Sequence, residues 1–367
     1  MSGGSRNPAK GTPLHRGVGP AHARPLRVLV YHRVADPEAT PALDPALISV
    51  SPDGFRRQMR HLAHRYSVVS LEEVLAAFRG IATLPERAVL ITFDDAYRDV
   101  GEIAWPILKG LRLPATLFVP TAYPGRPERA FWWDRLHRLF RRAVASSQGS
   151  AVSSRSADHA SDRSRATDWS RLRRQMKGLT HEEANEIVDE LDQAFPGAAE
   201  GEQPPNVLDW DELRALAGEG LSIGAHTRWH PPLPRTSKDR IRSELKECME
   251  DLQGALPHVA PVIAYPYGFH DRETVQAARE EGFELGFTCL DGLNHIGVTD
   301  PLRLRRTNVT RSTTPLIFRL RMRPWFSAVD RWRHRFDDPS GVTTGLSAEG
   351  LLEALNSALS GNRSEGA

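Results

Sequence analysis

The chain has 367 residues, of which 40% are hydrophobic and 26% are charged, and this balance excludes a wholly disordered protein. Lysine and arginine total 48 and the acidic residues total 46, so the formal charge of +2 predicts no nucleic-acid partner. Cys248 and Cys289 are too few for a disulfide framework, and we expect them to pack as small apolar residues.

The first 25 residues are rich in Gly, Pro, Arg and His and contain no apolar run of the kind that a secretory signal needs. We therefore expect a disordered leader over Met1–Pro25. No stretch of the chain reaches the ~20 consecutive apolar residues of a membrane-spanning helix. Together these features predict a cytoplasmic protein.

Short apolar runs then alternate with segments of helical periodicity. The predicted strands are Arg27–Tyr31, Tyr66–Val69, Ala88–Phe93, Ala115–Val119, Leu221–Ala225, Val262–Tyr265 and Leu285–Cys289. The predicted helices are Phe55–His64, Leu71–Phe78, Tyr97–Leu111, Asp209–Leu216, Lys238–Leu252 and Asp271–Glu281. Ser70 and Glu73 predict a capping box at the start of the second of these helices. Apolar strands separated by helices indicate a parallel sheet that is covered on both faces. We predict an α/β fold, a distorted barrel of about seven or eight β/α units, with an open doubly wound sheet as the alternative.

One region breaks this alternation. Residues 145–170 are rich in Ser and Arg, and helical patterns at Trp132–Val144 and His181–Phe195 flank them. We predict that residues 131–205 form an inserted helical subdomain. The alternative is a basic RNA-binding segment, but the charges are mixed and no aromatic residues are interleaved with them.

The C-terminal region, residues 315–367, is predicted to be a basic extension of a barrel that covers residues 26–314. The segment Pro315–Arg335 mixes arginines with aromatic and aliphatic residues. It can pack on the barrel or make peripheral contact with an anionic membrane surface, and Pro324 interrupts any single helix through it. A further helix is predicted at Ala348–Leu359.

Two adjacent carboxylates, Asp94 and Asp95, follow the apolar strand Ala88–Phe93 directly. The C-terminal ends of the strands are where a β/α barrel carries its chemistry. Two neighbouring anions repel each other, and a divalent cation removes that penalty. The structural alternative is that Asp95 caps the following helix while Asp94 lies in a turn.

Two histidines, His226 and His230, follow another apolar strand at a spacing of four residues. Histidines at this spacing can bind one metal ion, and Pro231 and Pro232 favour a loop over a helix here. Together with Asp95 they form a set of one carboxylate and two imidazoles. That set suits zinc or another borderline divalent ion with an open coordination position.

A third strand end carries the turn Tyr265–Gly268, in which Pro266 and Gly268 favour a sharp bend. Such a turn can point backbone N–H groups outward, where they would suit an oxyanion. By itself the turn is better explained as an ordinary loop.

In chain order these features resemble the polysaccharide deacetylase family, also called the NodB-homology domain or carbohydrate esterase family 4. The motifs that carry the resemblance are YHRV at residues 31–34, TFDDAY at 92–97, HTRWHP at 226–231 and YPYG at 265–268. The resemblance extends over about Leu26–Val309. The closing stretch, residues 292–309, is similar to members that are encoded beside bacterial exopolysaccharide genes.

The resemblance implies a fold, a metal and a role for each motif. It implies a distorted β/α barrel in which Asp95, His226 and His230 bind one divalent metal. Zinc is the expected metal, and Co²⁺, Ni²⁺ or Mn²⁺ would also fit. Asp94 is implied as the general base, and the backbone N–H of Tyr267 as a donor to the oxyanion.

The sequence departs from the family pattern at two positions. Many members have an arginine that orients the general base where this chain has Ala264. Members also commonly use a late histidine, in a Leu-x-His setting, as general acid, and His295 is the candidate for it. We further expect His32, Tyr265 and His295 to line the substrate groove.

The activity that follows is metal-dependent hydrolysis of N-acetyl groups on the amino sugars of a polysaccharide or lipid-linked glycan precursor, with release of acetate. One alternative is an amide or imide hydrolase with a non-sugar substrate. The other is a non-catalytic carbohydrate-binding relative, which the missing arginine would favour.

Overall fold

The computed structural model describes residues 24–126, 129–149, 172–173, 175–194, 206–323 and 326. Its strands are β1 (Pro25–Tyr31), β2 (Arg33–Val34), β3 (Ile48–Val50), β4 (Ser67–Val68), β5 (Ala88–Phe93), β6 (Thr116–Val119), β7 (Ser222–Ala225), β8 (Val262–Ala264), β9 (Leu285–Phe287), β10 (Asn294–His295) and β11 (Thr307–Asn308). Its helices are α1 (Pro52–Arg65), α2 (Leu71–Phe78), α3 (Trp105–Gly110), α4 (Trp132–Gly149), α5 (His181–Ala194), α6 (Trp210–Gly218), α7 (Lys238–Ala255), α8 (Arg272–Glu280) and α9 (Pro315–Arg321). The expected leader up to residue 23, most of the Ser- and Arg-rich segment and the predicted helix Ala348–Leu359 lie outside the described residues.

The central sheet is parallel. Strands β1, β5, β6, β7, β8 and β9 lie side by side in that order, and each neighbouring pair runs in the same direction. The longest pairing joins β1 to β5, from Leu26 opposite Ala88 to Tyr31 opposite Phe93. Both strands are buried along nearly their whole length. Burial on both faces explains why these segments are continuous apolar runs in the sequence rather than alternating ones.

The sheet curls until side chains from distant strands meet inside it. The rings of Phe118 on β6 and Phe287 on β9 lie 5.2 Å apart, although β7 and β8 separate these strands in the sheet. Gly224 on β7 leaves the room for this contact. A Cβ atom at that position would come within 2.8 Å of both the Phe118 ring and a methyl group of Val262.

The segment that follows β9 spans the two edges of the curled sheet. Leu304 forms a parallel bridge with Phe287 of β9. A few residues later, Thr307 and Asn308 of β11 pair with Leu29 and Val30 of β1. The predicted barrel is therefore confirmed as a curled, mainly parallel half-barrel with helices, and residues 304–308 run between its first and last long strands.

The helices agree with the sequence prediction, including the helix predicted at Tyr97–Leu111. The chain is helical from residue 98 to residue 110, with a wide π-type turn at Val100–Ala104 before α3 begins at Trp105. Pro106 has no N–H with which to continue an ordinary α-helical ladder, and the Trp105 N–H reaches back to the carbonyl of Val100. The sequence analysis predicted this helix but not the π-type turn inside it.

The predicted capping box at the start of α2 is confirmed. The Ser70 side chain accepts a hydrogen bond from the N–H of Glu73 at 3.2 Å, and the Glu73 carboxylate accepts one from the N–H of Ser70 at 2.8 Å. Within the described part of the chain, no helix combines the length and the apolar character needed to cross a bilayer.

Gly224→Ala tests whether the curl depends on the contact between Phe118 and Phe287. We expect the variant to lose about 1–3 kcal/mol of unfolding free energy, because the new methyl group overpacks the interior. Equilibrium unfolding in denaturant measures this loss. The control is Gly254→Ala in α7, where an added Cβ meets nothing within 4 Å. We expect that change to stabilise the helix by up to about 1 kcal/mol, and equal effects of the two changes would refute the packing argument.

Candidate active site

Chemically reactive side chains collect where four strands of the parallel sheet end. His32 follows β1, Asp94 and Asp95 follow β5, His226 follows β7, and the turn at Tyr265–Gly268 follows β8. All of these strands are parallel, so their C-terminal ends face one mouth of the half-barrel. The strand order thus brings together side chains that are far apart in the sequence.

Asp95, His226 and His230 converge on one point. Each offers a ligand atom, and these three atoms lie within 4.8 Å of one another. Asp95 Oδ1 is 3.4 Å from His226 Nε2 and 3.3 Å from His230 Nε2. All three residues are buried, and Asp95 Oδ1 has no hydrogen-bond partner among the described residues. A buried carboxylate oxygen without a partner, facing two imidazole nitrogens, fits a divalent cation of the zinc type.

The ring orientation of His226 is set by a backbone carbonyl. Its Nδ1 lies 2.7 Å from the carbonyl oxygen of Ala264, at the end of β8. When Nδ1 carries the proton and donates it to this oxygen, Nε2 keeps its lone pair for a metal ion. Ala264, which stands where many relatives have an arginine, thus contributes through its backbone.

The carboxylate of Asp95 stays ionised. Burial raises its pKa, but His226 and His230 outweigh that effect and hold the net pKa well below the ordinary value. For His230 the balance is opposite, because burial lowers its pKa more than Asp95 raises it. A neutral imidazole beside an ionised carboxylate is the protonation state that binds a metal cation.

The loop from His226 to His230 is held in a tight conformation. Thr227 and His230 have positive φ values of 63° and 60°, in the left-handed region. The Thr227 hydroxyl accepts a hydrogen bond from the N–H of His230 at 3.0 Å. The carboxylate of Glu244 on α7 accepts one from each N–H of Arg228 and Trp229 at 2.8 Å. These bonds stabilise a backbone whose left-handed residues cost of order 1–3 kcal/mol each.

Asp94 is paired with a residue that the sequence analysis missed. Arg306 donates to both carboxylate oxygens, at 2.7 and 2.8 Å, and both side chains are buried. The Nε of Arg306 also donates to the carbonyl of Thr288 at 2.8 Å, which orients the guanidinium plane. Burial raises the pKa of Asp94, but Arg306 and His226 outweigh burial and lower it overall. Asp94 is therefore a fixed, ionised carboxylate beside the three-residue cluster.

These residues line a pocket of about 170 Å³. Its lining includes the side chains of His32, Asp94, Asp95, Trp133, Arg173, Lys177, His226, His230, Tyr267 and Cys289. The N–H of Tyr267, a residue with a φ of 58°, has no acceptor in the hydrogen bonds of the described chain. Three of the lining residues, Trp133, Arg173 and Lys177, come from the insertion, and the sequence analysis had assigned none of them to the pocket.

Two of the expected groove residues lie elsewhere. Tyr265 is fully buried, and its hydroxyl donates to the carbonyl of Leu302 at 3.0 Å rather than facing the pocket. His295 is exposed and pairs with Pro25 at the start of β1. The pocket is at the other end of β1, about 20 Å away at the usual rise per residue. We therefore withdraw Tyr265 and His295 as groove residues.

Comparisons with known proteins agree with the fold described above and with the family that the sequence motifs resemble. Residues 82–286 match the family model described as polysaccharide deacetylase. A poly-beta-1,6-N-acetyl-D-glucosamine N-deacetylase of Escherichia coli strain K12 is 36% identical over 86 residues, which cover 23% of this chain and 12% of that protein. The enzyme of the same name from Staphylococcus aureus strain N315 is 37% identical over 78 residues, or 21% and 27% of the two chains. The matched segments thus span well under half of the length of these two relatives.

Solved structures agree over a longer stretch. The Streptococcus pyogenes deacetylase PplD in complex with acetate has a TM-score of 0.54 at 22% identity, covering 82% of this chain and all of that one. IcaB from Ammonifex degensii has a TM-score of 0.53 at 21% identity, covering 84% of this chain and 97% of that one. At such identities the likeness establishes the shared fold.

Arg306→Met tests the role of the buried ion pair. We expect it to destabilise the protein by about 3–5 kcal/mol at pH 7.5, because Asp94 would keep its charge without its main partner. The deficit should shrink at pH 5. The wild-type pKa of Asp94 is lowered, so its contribution to stability is retained at pH 5 and is lost only below the pKa of an aspartate in the unfolded chain. The raised pKa in the variant lets protonation relieve the buried charge by pH 5, and the difference between the two proteins therefore shrinks.

Denaturant unfolding at both pH values checks this expectation. Arg303→Met is the matched control, since that arginine is 44% exposed and lies 4.0 Å from Asp300. Its loss should stay within about 0.5 kcal/mol. A deficit for Arg306→Met that is small, or that grows on acidification, would contradict the assignment.

Proposed function

Because the chain belongs to the polysaccharide deacetylase family, we propose that it hydrolyses N-acetyl groups on the amino sugars of a polysaccharide or of a lipid-linked glycan precursor. The products would be acetate and a free amino sugar. The observation that carries the proposal is the meeting of Asp95, His226 and His230 around one point beside the ionised Asp94.

Asp95, His226 and His230 would hold one divalent metal, with zinc as the expected ion and cobalt, nickel or manganese as alternatives. When bound, such an ion polarises the acetamide carbonyl and makes a nearby water more acidic. The fit rests on the partnerless Asp95 Oδ1 and on the His226 ring, whose Nδ1 faces the Ala264 carbonyl.

Asp94 would accept a proton from the attacking water. Arg306 keeps its carboxylate ionised and fixes the plane in which it lies. The same carboxyl group can return this proton to the leaving nitrogen. The other proton of the water would remain on the acetic acid product, and its transfer to the amine gives acetate and an ammonium sugar. His32 is the imidazole outside the ligand set that lines the described pocket, and we propose that it contacts the sugar.

The Tyr267 N–H would donate a hydrogen bond to the oxygen of the reacting carbonyl as negative charge builds on it. The left-handed backbone of Tyr267 supports this role, because the conformation costs energy and leaves its N–H without an internal acceptor. The Tyr267 hydroxyl accepts a hydrogen bond from Trp132 Nε1 at 3.1 Å, which holds the residue in place.

The pairing of Asp94 with Arg306 argues against the non-catalytic alternative. The motive for that alternative was the missing arginine at the position of Ala264. Arg306 supplies a guanidinium to the same carboxylate from another part of the chain. A binding protein without catalysis would have no need for a buried, ionised aspartate next to a cation site.

We also propose that helix α9 makes peripheral contact with an anionic membrane surface. Leu316 is 67% exposed and Ile317 is 39% exposed, while Phe318 on the same helix is buried against the protein. Arg319 lies in the last turn of this helix. Exposed apolar residues beside basic ones are typical of helices that lie in a lipid headgroup region.

Paired substitutions of the two aspartates test the hydrolase proposal. Asp95→Ala should lose bound zinc and acetate release together. Asp94→Asn should keep the zinc and lose turnover by about 10²–10⁴-fold, because it cannot accept the proton. Metal content is measured by elemental analysis, and acetate is measured with N-acetylglucosamine oligomers as substrate.

His295→Ala is the control, since this exposed histidine lies at the far end of β1 and should leave both readouts unchanged. Near-normal turnover by Asp94→Asn would refute its role as base. Full zinc content in Asp95→Ala would refute the ligand set. Bound zinc without acetate from any sugar would favour a non-sugar amide substrate.

Leu316→Ser with Ile317→Ser tests the membrane contact. We expect the wild type to sediment with vesicles that contain phosphatidylserine, and the double variant to bind at least about tenfold less, because each side chain loses its apolar burial. Ile81→Ser, which removes a residue that is 75% exposed on another surface, is the control. Equal sedimentation of all three proteins would contradict the proposed contact.

A further inference from the structure

The insertion is attached firmly to the mouth of the half-barrel. At the start of α4, Trp133 Nε1 donates to the hydroxyl of Tyr97 at 2.9 Å. The next residue, Asp134, forms a buried ion pair with Arg33 at 2.7 Å. Such buried contacts define one position for this helix relative to the strands. The insertion is therefore part of the pocket wall.

A second part of the insertion, residues 172–173 and 175–179, closes another side of the pocket. Arg173 pairs at 2.9 Å with Asp44, a buried residue in the loop between β2 and β3. Leu172 and Met176 are buried in the hydrophobic core, and a turn follows them. This turn places Lys177 in the pocket lining, with its ammonium 5.5 Å from the centre of the Tyr267 ring.

Lys177 differs from the other charged groups of the pocket in having no anionic partner. Asp94 is paired with Arg306, Arg173 with Asp44, and Asp95 faces two imidazoles. Among the described residues, no carboxylate forms an ion pair with Lys177. Its ammonium lies instead over the face of the Tyr267 ring. Burial first, and then Arg173, lower its pKa, and they outweigh Cys289, Asp95 and Asp44, which raise it.

Binding of a divalent cation would increase this imbalance. One cation adds two positive charges next to Asp95, and Asp95 neutralises only one of them. With Asp94 already paired, the loaded pocket has a surplus of positive charge at the cation and at Lys177. A neutral sugar would leave that surplus uncompensated in a partly desolvated site, whereas an anionic group would neutralise it.

We propose that Lys177 is a specificity residue that binds an anionic group, a carboxylate or a phosphate, on the glycan that carries the N-acetyl group. The substrate is then an acidic amino-sugar glycan rather than a neutral polymer of N-acetylglucosamine. This inference rests on the proposed deacetylase function and narrows its substrate class. The source of the anion is either an acidic sugar in the chain or the phosphate of an activated or lipid-linked precursor.

The test compares three probes on the zinc-loaded full chain. The neutral probe is an N-acetylglucosamine tetramer, the carboxylate probe is a hyaluronan tetrasaccharide, and the phosphate probe is UDP-N-acetylglucosamine. We expect the wild type to prefer one of the two acidic probes in kcat/KM. Lys177→Gln should lower kcat/KM for that probe by about tenfold to a hundredfold through KM, and leave the neutral probe within about twofold.

Two variants serve as controls. Lys177→Arg keeps the positive charge and should retain the preference. Lys246→Gln removes an ammonium from α7 that is 63% exposed, and it should behave like the wild type. Thermal unfolding of each variant separates a folding defect from a binding defect. If Lys177→Gln unfolds at a lower temperature than the wild type, Lys177→Arg is compared with the neutral Lys177→Met instead. The role of the charge is supported if Lys177→Arg keeps the preference for the acidic probe and Lys177→Met loses it.

The possible results distinguish a failure of this inference from a failure of the proposed deacetylase function. Equal losses of Lys177→Gln on neutral and acidic probes would overturn the specificity role, because the lysine would then act on the reacting acetamide. A wild type that hydrolyses only the neutral probe would also overturn it while leaving the deacetylase function intact. If no probe is hydrolysed, the deacetylase proposal fails, and calorimetric binding of the three probes to wild type and Lys177→Gln decides the anion site by itself.

Discussion

A buried ion pair between Asp94 and Arg306 links the chemistry of this protein to the closure of its fold. Asp94 comes from the end of β5, whereas Arg306 lies in the segment that runs between β9 and β1. Without that segment the guanidinium would be absent, and Asp94 would be a buried carboxylate held mainly by His226. The same residues 304–308 therefore complete the half-barrel and keep the Asp94 carboxylate ionised at its mouth.

The cluster of Asp95, His226 and His230 depends on strained backbone that other parts of the molecule hold in place. Asp95 has a φ of 72°, and Thr227 and His230 are left-handed as well. A loop with such residues would relax if it were free, because non-glycine residues are disfavoured in that region. Glu244 prevents this from the neighbouring helix by accepting two loop N–H groups. The stability of α7 is thus part of what keeps two imidazoles aimed at one point.

The sequence predicted the parts of the fold and site that depend on local patterns. Continuous apolar runs located the parallel strands, and the Ser70–Glu73 capping box located a helix start, because both signals lie within a few residues. The cluster of Asp95 with His226 and His230 also followed, since Asp95 comes soon after β5, and both histidines come soon after β7 of the same parallel sheet. His295 failed because its spacing from the last strand does not reveal that the chain has returned to the opposite end of β1.

Local patterns could not reveal the roles of Arg306, Glu244 and Lys177, because the residues that they contact are not close to them in the chain. Arg306 is 212 residues from Asp94 and looks in the sequence like its neighbours Arg303 and Arg305. Only the pairing of β11 with β1 turns one of these arginines inward. Lys177 lies in an insertion whose composition suggested a surface segment. Its place beside Tyr267 depends on two anchors, Trp133 and Arg173, that pack against the barrel.

The two arginine–aspartate pairs of the pocket explain why the remaining lysine matters for selectivity. Each pair satisfies a charge that the fold itself introduces, one at the closing segment and one between the insertion and the loop before β3. The Lys177 ammonium has no such partner among the described residues. The cost of its desolvation is compensated only when an anionic group enters the pocket. Under the proposed roles, the family motifs act on the bond that is hydrolysed. Lys177 of the insertion, a charge that none of those motifs contains, would then select among glycans with the same N-acetyl group.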